Sequence, residues 1–138
     1  MATREHLRKS ARNKLSAAKR LTEGHCNLPV EVTYLCVVAL ECSLKHAILS
    51  RNGFQRTEEI CDKSHQLYDY FHGTGGHDLD KLRRTANRKF TASRPWTRMK
   101  NPGRPYSLRY SSEEVAVAEC KEDLSFTRDV VASLEDER

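Results

Sequence analysis

His77 and Arg84 are residue types suited to metal-free phosphoryl chemistry, an imidazole to move a proton near neutral pH and a guanidinium to hold developing phosphate charge. They lie seven residues apart in FHGTGGHDLDKLRR (Phe71–Arg84), a spacing that puts both on one face of a helix. Arg83 follows His77 by six residues and points away from it, so the pair would need a second copy of the chain to complete a site. Plainer explanations compete. The glycines of GTGG follow no strand and precede no Gly-Lys-Ser/Thr, and their spacing misses the dinucleotide pattern, so no phosphate cradle is expected. His77 with Asp78 and Asp80 also suits a helix start, where negative charge is favoured.

Other chemistries find less support. Cys61 and His65 are four apart, with His72 and His77 nearby, but no Cys-x-x-Cys or His-Glu-x-x-His accompanies them, so no metal and no cofactor is assigned. No Gly-x-Ser-x-Gly occurs, and Cys36 and Cys42 fall in the most apolar stretch, where a thiolate is disfavoured. Glu41 and Lys45, also in that stretch, are spaced as a stabilising helical pair; charges there are kept when paired or used.

Charge is divided along the chain. Between Lys81 and Arg109 stand Lys81, Arg83, Arg84, Arg88, Lys89, Arg94, Arg98, Lys100, Arg104 and Arg109, ten bases and no acid. From Ser111 onward acids predominate, among them Glu113, Glu114, Glu119, Glu122, Asp123 and Asp129. Either the acidic helix neutralises the basic segment inside the fold, or positive potential faces a polyanion. In the second case Arg83, Arg84, Arg88, Lys89, Arg94, Arg98, Lys100, Arg104 and Arg109 would contact phosphates, and Trp96 and Tyr106 would stack on bases. In the first, Trp96 and Tyr106 pin a loop onto the bundle.

The elements that must position these residues are helical. Leu7, Ala11, Leu15, Ala18 and Leu21 line one face of a first helix with Arg and Lys opposite. PVEVTYLCVVALECSLKHAILSRNG is apolar nearly all round and should be the central helix, stopping at Asn52-Gly53. TEEICDKSHQLYDYF is expected as a third helix beginning at Thr57, and HDLDKLRRTANRKF as a shorter fourth ending near Phe90. Pro95, Pro102, Gly103 and Pro105 predict an irregular basic loop over RPWTRMKNPGRPYSLRY. Ser111 with Glu114 forms a capping box for a last helix, whose Val117, Cys120, Leu124, Thr127, Val131 and Leu134 make an inward stripe. No segment alternates as a strand does. The expectation is an all-α antiparallel bundle of four to five helices with a basic, Pro-containing loop before the last one.

The 138 residues suit one domain, and the apolar content of 38% against 31% charged is enough for a core because it gathers into periodic segments. No signal-like segment is visible, the run around YLCVVAL is too short to span a bilayer, and five scattered cysteines suggest reduced thiols; these point to a cytoplasmic protein without membrane contact.

ALECSLKHAIL (Ala39–Leu49), with Glu41 and Lys45, resembles the second-helix pattern of HEPN domains. GHDLDKL (Gly76–Leu82) is similar to the His-Asp-Leu-x-x-Leu start of a later helix in that family, and LRY (Leu108–Tyr110) to the Arg-Tyr before its last helix. The resemblance implies a helical bundle that commonly forms homodimers, with roles in RNA cleavage, toxin–antitoxin pairs, antiviral defence or association with nucleotidyltransferases. Active members share an Arg, four to six intervening residues and then a His, late in the bundle. Here only Arg20 and His25 have that spacing, at the end of the first helix. The resemblance therefore implies a non-catalytic module binding RNA or an acidic protein. Its alternatives are a dimeric metal-independent ribonuclease and a structural adaptor or antitoxin. Self-association is expected on a second ground, that the second helix with Tyr68, Tyr70 and Phe71 offers more apolar surface than a monomer hides.

Overall fold

The computed structural model describes residues 3–23, 28–62, 65–72, 77–89, 93–100 and 117–135. Among them the regular structure is helical, and the only β-like pairing is an isolated bridge between Thr3 and Arg56. Helix α1 (Arg4–Thr22) starts where the Thr3 hydroxyl accepts the His6 N–H at 3.1 Å, relieving one of the unpaired amides of a helix start. Helix α2 (Pro29–Arg51) opens with proline in its first turn, where a missing N–H loses no bond.

The end of α2 is a Schellman cap. Phe54 N–H reaches back to Leu49 O (2.9 Å) and Gly53 N–H to Ser50 O (3.3 Å), with Gly53 at φ 76°. A side chain there would meet no atom within 4 Å, so backbone conformation, not space, selects glycine.

As expected, α2 is the central helix. Val32, Cys36, Val37, Leu40, Leu44 and Ile48 are all fully buried. By length and composition this helix could cross a membrane, unlike the shorter run judged from sequence, but 67% of its most apolar window is buried in the fold. Arg4 O meets His46 Nδ1 at 3.0 Å and Ser10 meets Cys42 at 3.7 Å, so α1 runs antiparallel to α2. Helix α6 (Val117–Glu135) departs from the antiparallel expectation. Thr33 meets Asp123 at 2.9 Å and Cys36 meets Thr127 one turn further along both helices, so α6 runs in the direction of α2.

Three other expectations change. Instead of one helix from Thr57, there is a 3-10 turn (Thr57–Glu59) and then α3 (Tyr68–His72). The segment has no continuous apolar stripe to hold a long helix, and Ile60 and Leu67 enter the core separately while His72 Nε2 returns to Thr57 O at 3.1 Å. Helix α4 (Leu79–Thr85) stops short of Phe90, because Asn87 takes φ 54° and Arg88 N–H closes on Arg83 O at 3.1 Å. Inside the expected irregular loop lies α5 (Arg94–Met99); Ser93 Oγ accepts the Trp96 N–H at 3.3 Å, and Pro95 occupies the tolerant first turn.

Trp96 and Met99 are buried against α6, with the Trp96 and Phe126 rings 6.2 Å apart. The aromatic surplus expected to drive dimerisation is largely absorbed: Tyr68, Tyr70 and Phe71 pack on the core, and Leu28 and Val117 are the large hydrophobics exposed among the described residues. The Ser111–Glu114 cap and the glycines of GTGG lie outside the described residues, as do His25, which has the family's spacing from Arg20, and the Leu108–Tyr110 motif.

Candidate functional site

One turn of α2 places Glu41 and Lys45 on the same side, with Lys45 Nζ donating to Glu41 Oε2 at 3.1 Å. The other carboxylate oxygen, Oε1, lies 2.9 Å from His77 Nδ1, just before α4. The two α2 side chains are about one-sixth exposed and His77 about half, so a mostly sheltered ion pair holds a solvent-facing imidazole. Asp78 secures the position of His77 by capping α4 through the Lys81 N–H at 3.1 Å. With Nδ1–H donating to the carboxylate, the lone pair of the neutral ring falls on Nε2, the arrangement that makes an imidazole a proton acceptor. Lys45, Glu41 and His77 thus form one chain of contacts joining α2 to α4.

Arg84, the expected companion of His77, is turned to its own helix. Its Nε lies 3.4 Å from Asp80 O and 3.6 Å from Asp80 Oδ2, on a side chain 61% exposed. A cleft of about 450 Å³ opens between α3 and α4, lined by Lys81, Arg84, Thr85, Gln66, Asp69 and Tyr70. It is flanked by a recess of about 290 Å³ that shares Gln66, Tyr70 and Thr85 and reaches Asn52 and Leu67. Two cations and an aromatic ring therefore face one concavity. From sequence Tyr70 counts toward the aromatic surplus that favours self-association; its half-buried position beside Lys81 depends on the break before α3, which the sequence pattern does not reveal.

The remaining basic residues divide. Arg83 binds Asp80 at 3.2 Å and caps the α4 end through Arg88 O at 2.9 Å. Arg98 reaches Asp123 at 2.8 Å, Glu122 at 3.3 Å and Glu119 O at 3.4 Å. Trp96 is 5% exposed, which leaves its ring faces no room for a base. Lys89 and Arg94 are exposed, Arg88 and Lys100 half-buried. Arg104, Tyr106 and Arg109 lie outside the described residues.

Sequence reasoning passed over a second basic surface. Helix α1 carries Arg4, Arg8, Lys9, Arg12, Lys14, Lys19 and Arg20 against the single acid Glu5. The polar face of that helix was legible, and its excess of charge was the available signal.

Burial pushes the Cys36 thiol up to about 12, the Thr127 hydrogen bond opposing only in part, and burial raises Cys42 as well. Neither thiol supplies a nucleophile at neutral pH. Among the described residues no group of three His, Cys, Asp or Glu converges as metal ligands. No protein-family model, curated protein or solved structure matches the chain.

Proposed function

We propose that this chain is a HEPN-like helical module that binds single-stranded RNA in the α3–α4 cleft. The observation that carries the reading is that Lys81 and Arg84 line the same cleft as Tyr70. Lys and Arg release counterions from phosphates, while an aromatic face stacks on a base of any identity. Gln66 and Asp69, on the same wall, offer an amide and a carboxylate to base edges. The HEPN-like arrangement and a bacterial defence or toxin–antitoxin setting rest on the motif resemblance. Contact between Glu41 of one motif and His77 of another supports it.

The test is anisotropy of a fluorescent single-stranded RNA from low to physiological salt. Binding should weaken with salt at a log–log slope of about −0.7 per phosphate contacted. Lys81→Ser with Arg84→Ser should flatten that slope, and Tyr70→Ala should weaken affinity by roughly tenfold. Salt-insensitive binding, or binding indifferent to all three changes, overturns the reading.

One observation favours a second reading, metal-independent ribonuclease activity: the His77–Glu41–Lys45 contacts. In that chemistry His77 Nε2 takes the 2′-hydroxyl proton, O2′ attacks the adjacent phosphorus, and the 5′-oxygen leaves, taking a proton from a general acid such as water. A nearby cation, Lys81 or Arg84, stabilises the phosphorane charge. Incubation with transfer RNA, with and without chelator, separates cleavage from binding.

A further inference from the structure

A groove runs between α1 and α6, away from the α3–α4 cleft. Its α1 wall is Arg12, Leu15, Ser16 and Lys19, and its α6 wall is Arg128, Val131, Ala132 and Glu135. Both walls follow the i, i+3, i+4, i+7 spacing of a single helical stripe, so the groove lies along the helix axes for about 10 Å. Arg12 clasps Glu135 in a two-pronged ion pair that closes one end, with the second contact at 3.0 Å. The groove is open to solvent, with a volume of about 370 Å³.

We propose that this groove seats an acidic amphipathic helix of a partner protein. Its floor, Leu15, Val131 and Ala132, is aliphatic, and its spacing matches apolar knobs repeating every three to four residues. Arg12 already holds Glu135, whereas Lys19 and Arg128 meet no carboxylate within ion-pair distance among the described residues. Acidic residues flanking the apolar stripe of an incoming helix would complete them.

Two other occupants fit less well. RNA would want an aromatic face for its bases, and this groove has none, in contrast to the cleft with Tyr70. A second copy would have to offer α6, the chain's acidic helix, but Cys120, Leu124, Thr127, Val131 and Leu134 already bury its apolar stripe within its own fold.

The test uses the isotope-labelled full chain and a synthetic peptide of about fifteen residues. Leucines sit at i, i+3, i+4 and i+7, with glutamate elsewhere. Backbone amide shifts should cluster at Arg12 to Lys19 and Arg128 to Glu135. Lys19→Glu with Arg128→Glu should weaken binding at least tenfold, and Ser16→Trp, which fills the groove, should abolish it while circular dichroism stays unchanged. The proposal is overturned by no shifts, by shifts elsewhere, or by equal binding of a peptide of the same composition with scrambled leucines. It is also overturned if single-stranded RNA shifts the same amides and displaces the peptide, or if the free chain has a doubled mass whose interface covers this groove.

Discussion

Arg98 and Asp123, 25 residues apart in the chain, meet at 2.8 Å, and the Asp123 carboxylate is 1% exposed. Thr33 of α2 donates to the other oxygen of that carboxylate at 2.9 Å, so one acid ties α5, α6 and α2 together. The attraction between the basic segment and the acidic last helix is thus met inside the fold at this point. Arg98→Ala removes a close cation from a buried carboxylate and should destabilise the chain by about 2–3 kcal/mol, below the range for fully enclosed pairs because Arg98 is 23% exposed. Arg84→Ala, on an exposed side chain, should cost under about 1 kcal/mol. Urea unfolding of both variants measures the contrast; equal midpoints would show that Arg98 is as dispensable as a surface charge.

The two left-handed positions make a paired prediction. Gly53→Ala should cost about 1–2 kcal/mol through the backbone alone, since no neighbour stands within 4 Å of the added methyl. Asn87→Gly, at φ 54°, should be neutral or slightly stabilising. Thermal melts of the two variants, moving in opposite directions or with only the first falling, fit this account.

How much of this was visible beforehand differs from element to element. Helix α2 was legible because its apolar residues surround the axis, and α1 because its stripe is unbroken. Helix α5 was hidden because Pro95 read as a breaker, although a proline behind a Ser93 cap starts a helix as readily as it ends one. The site was legible in its parts: His77, Glu41 and Lys45 each drew notice. Their meeting was not, because 36 residues separate His77 from Glu41 and only the packing of α4 on α2 joins them. Trp96 is buried, as the loop-pinning reading has it, while Tyr70 packs on the core and still lines the α3–α4 cleft, since an aromatic's exposure depends on which neighbouring segment is helical.

His46 predicts a pH dependence. Its ring is buried and its Nδ1 bonds Arg4 O, with Nε2 lacking a hydrogen-bond partner. Burial lowers its pKa; the Arg4 carbonyl and Glu5 oppose this, while the charges of Arg8 and Arg4 add to it. The unfolded chain therefore binds a proton near 6.5 that the folded chain refuses. Stability from this group is complete above that value and declines as pH falls through it. Glu135, lowered mainly by its hydrogen bond from Arg12, adds a second loss only at more acidic pH, below the ordinary carboxylate range. The midpoint of denaturant unfolding should drop between pH 7.5 and 5.5, and His46→Leu should remove most of that slope. A slope identical in the variant would assign the effect to other groups.

Glu41→Gln distinguishes a working imidazole from a structural tie. The amide keeps the shape of the carboxylate but not its charge, so Lys45 loses its ion-pair partner and His77 the anion that steadies a protonated ring. If His77 moves a proton during cleavage of transfer RNA, this change should slow the reaction by roughly ten- to a hundredfold, because the ring that takes the proton loses the anion facing it. In that case His77→Ala should abolish cleavage while leaving RNA affinity within about twofold, since the proposed phosphate contacts are those of Lys81 and Arg84. If the wild-type chain leaves transfer RNA intact, Glu41→Gln should register only as a stability loss of about 1 kcal/mol, and the contacts between His77, Glu41 and Lys45 hold α4 against α2 and nothing more.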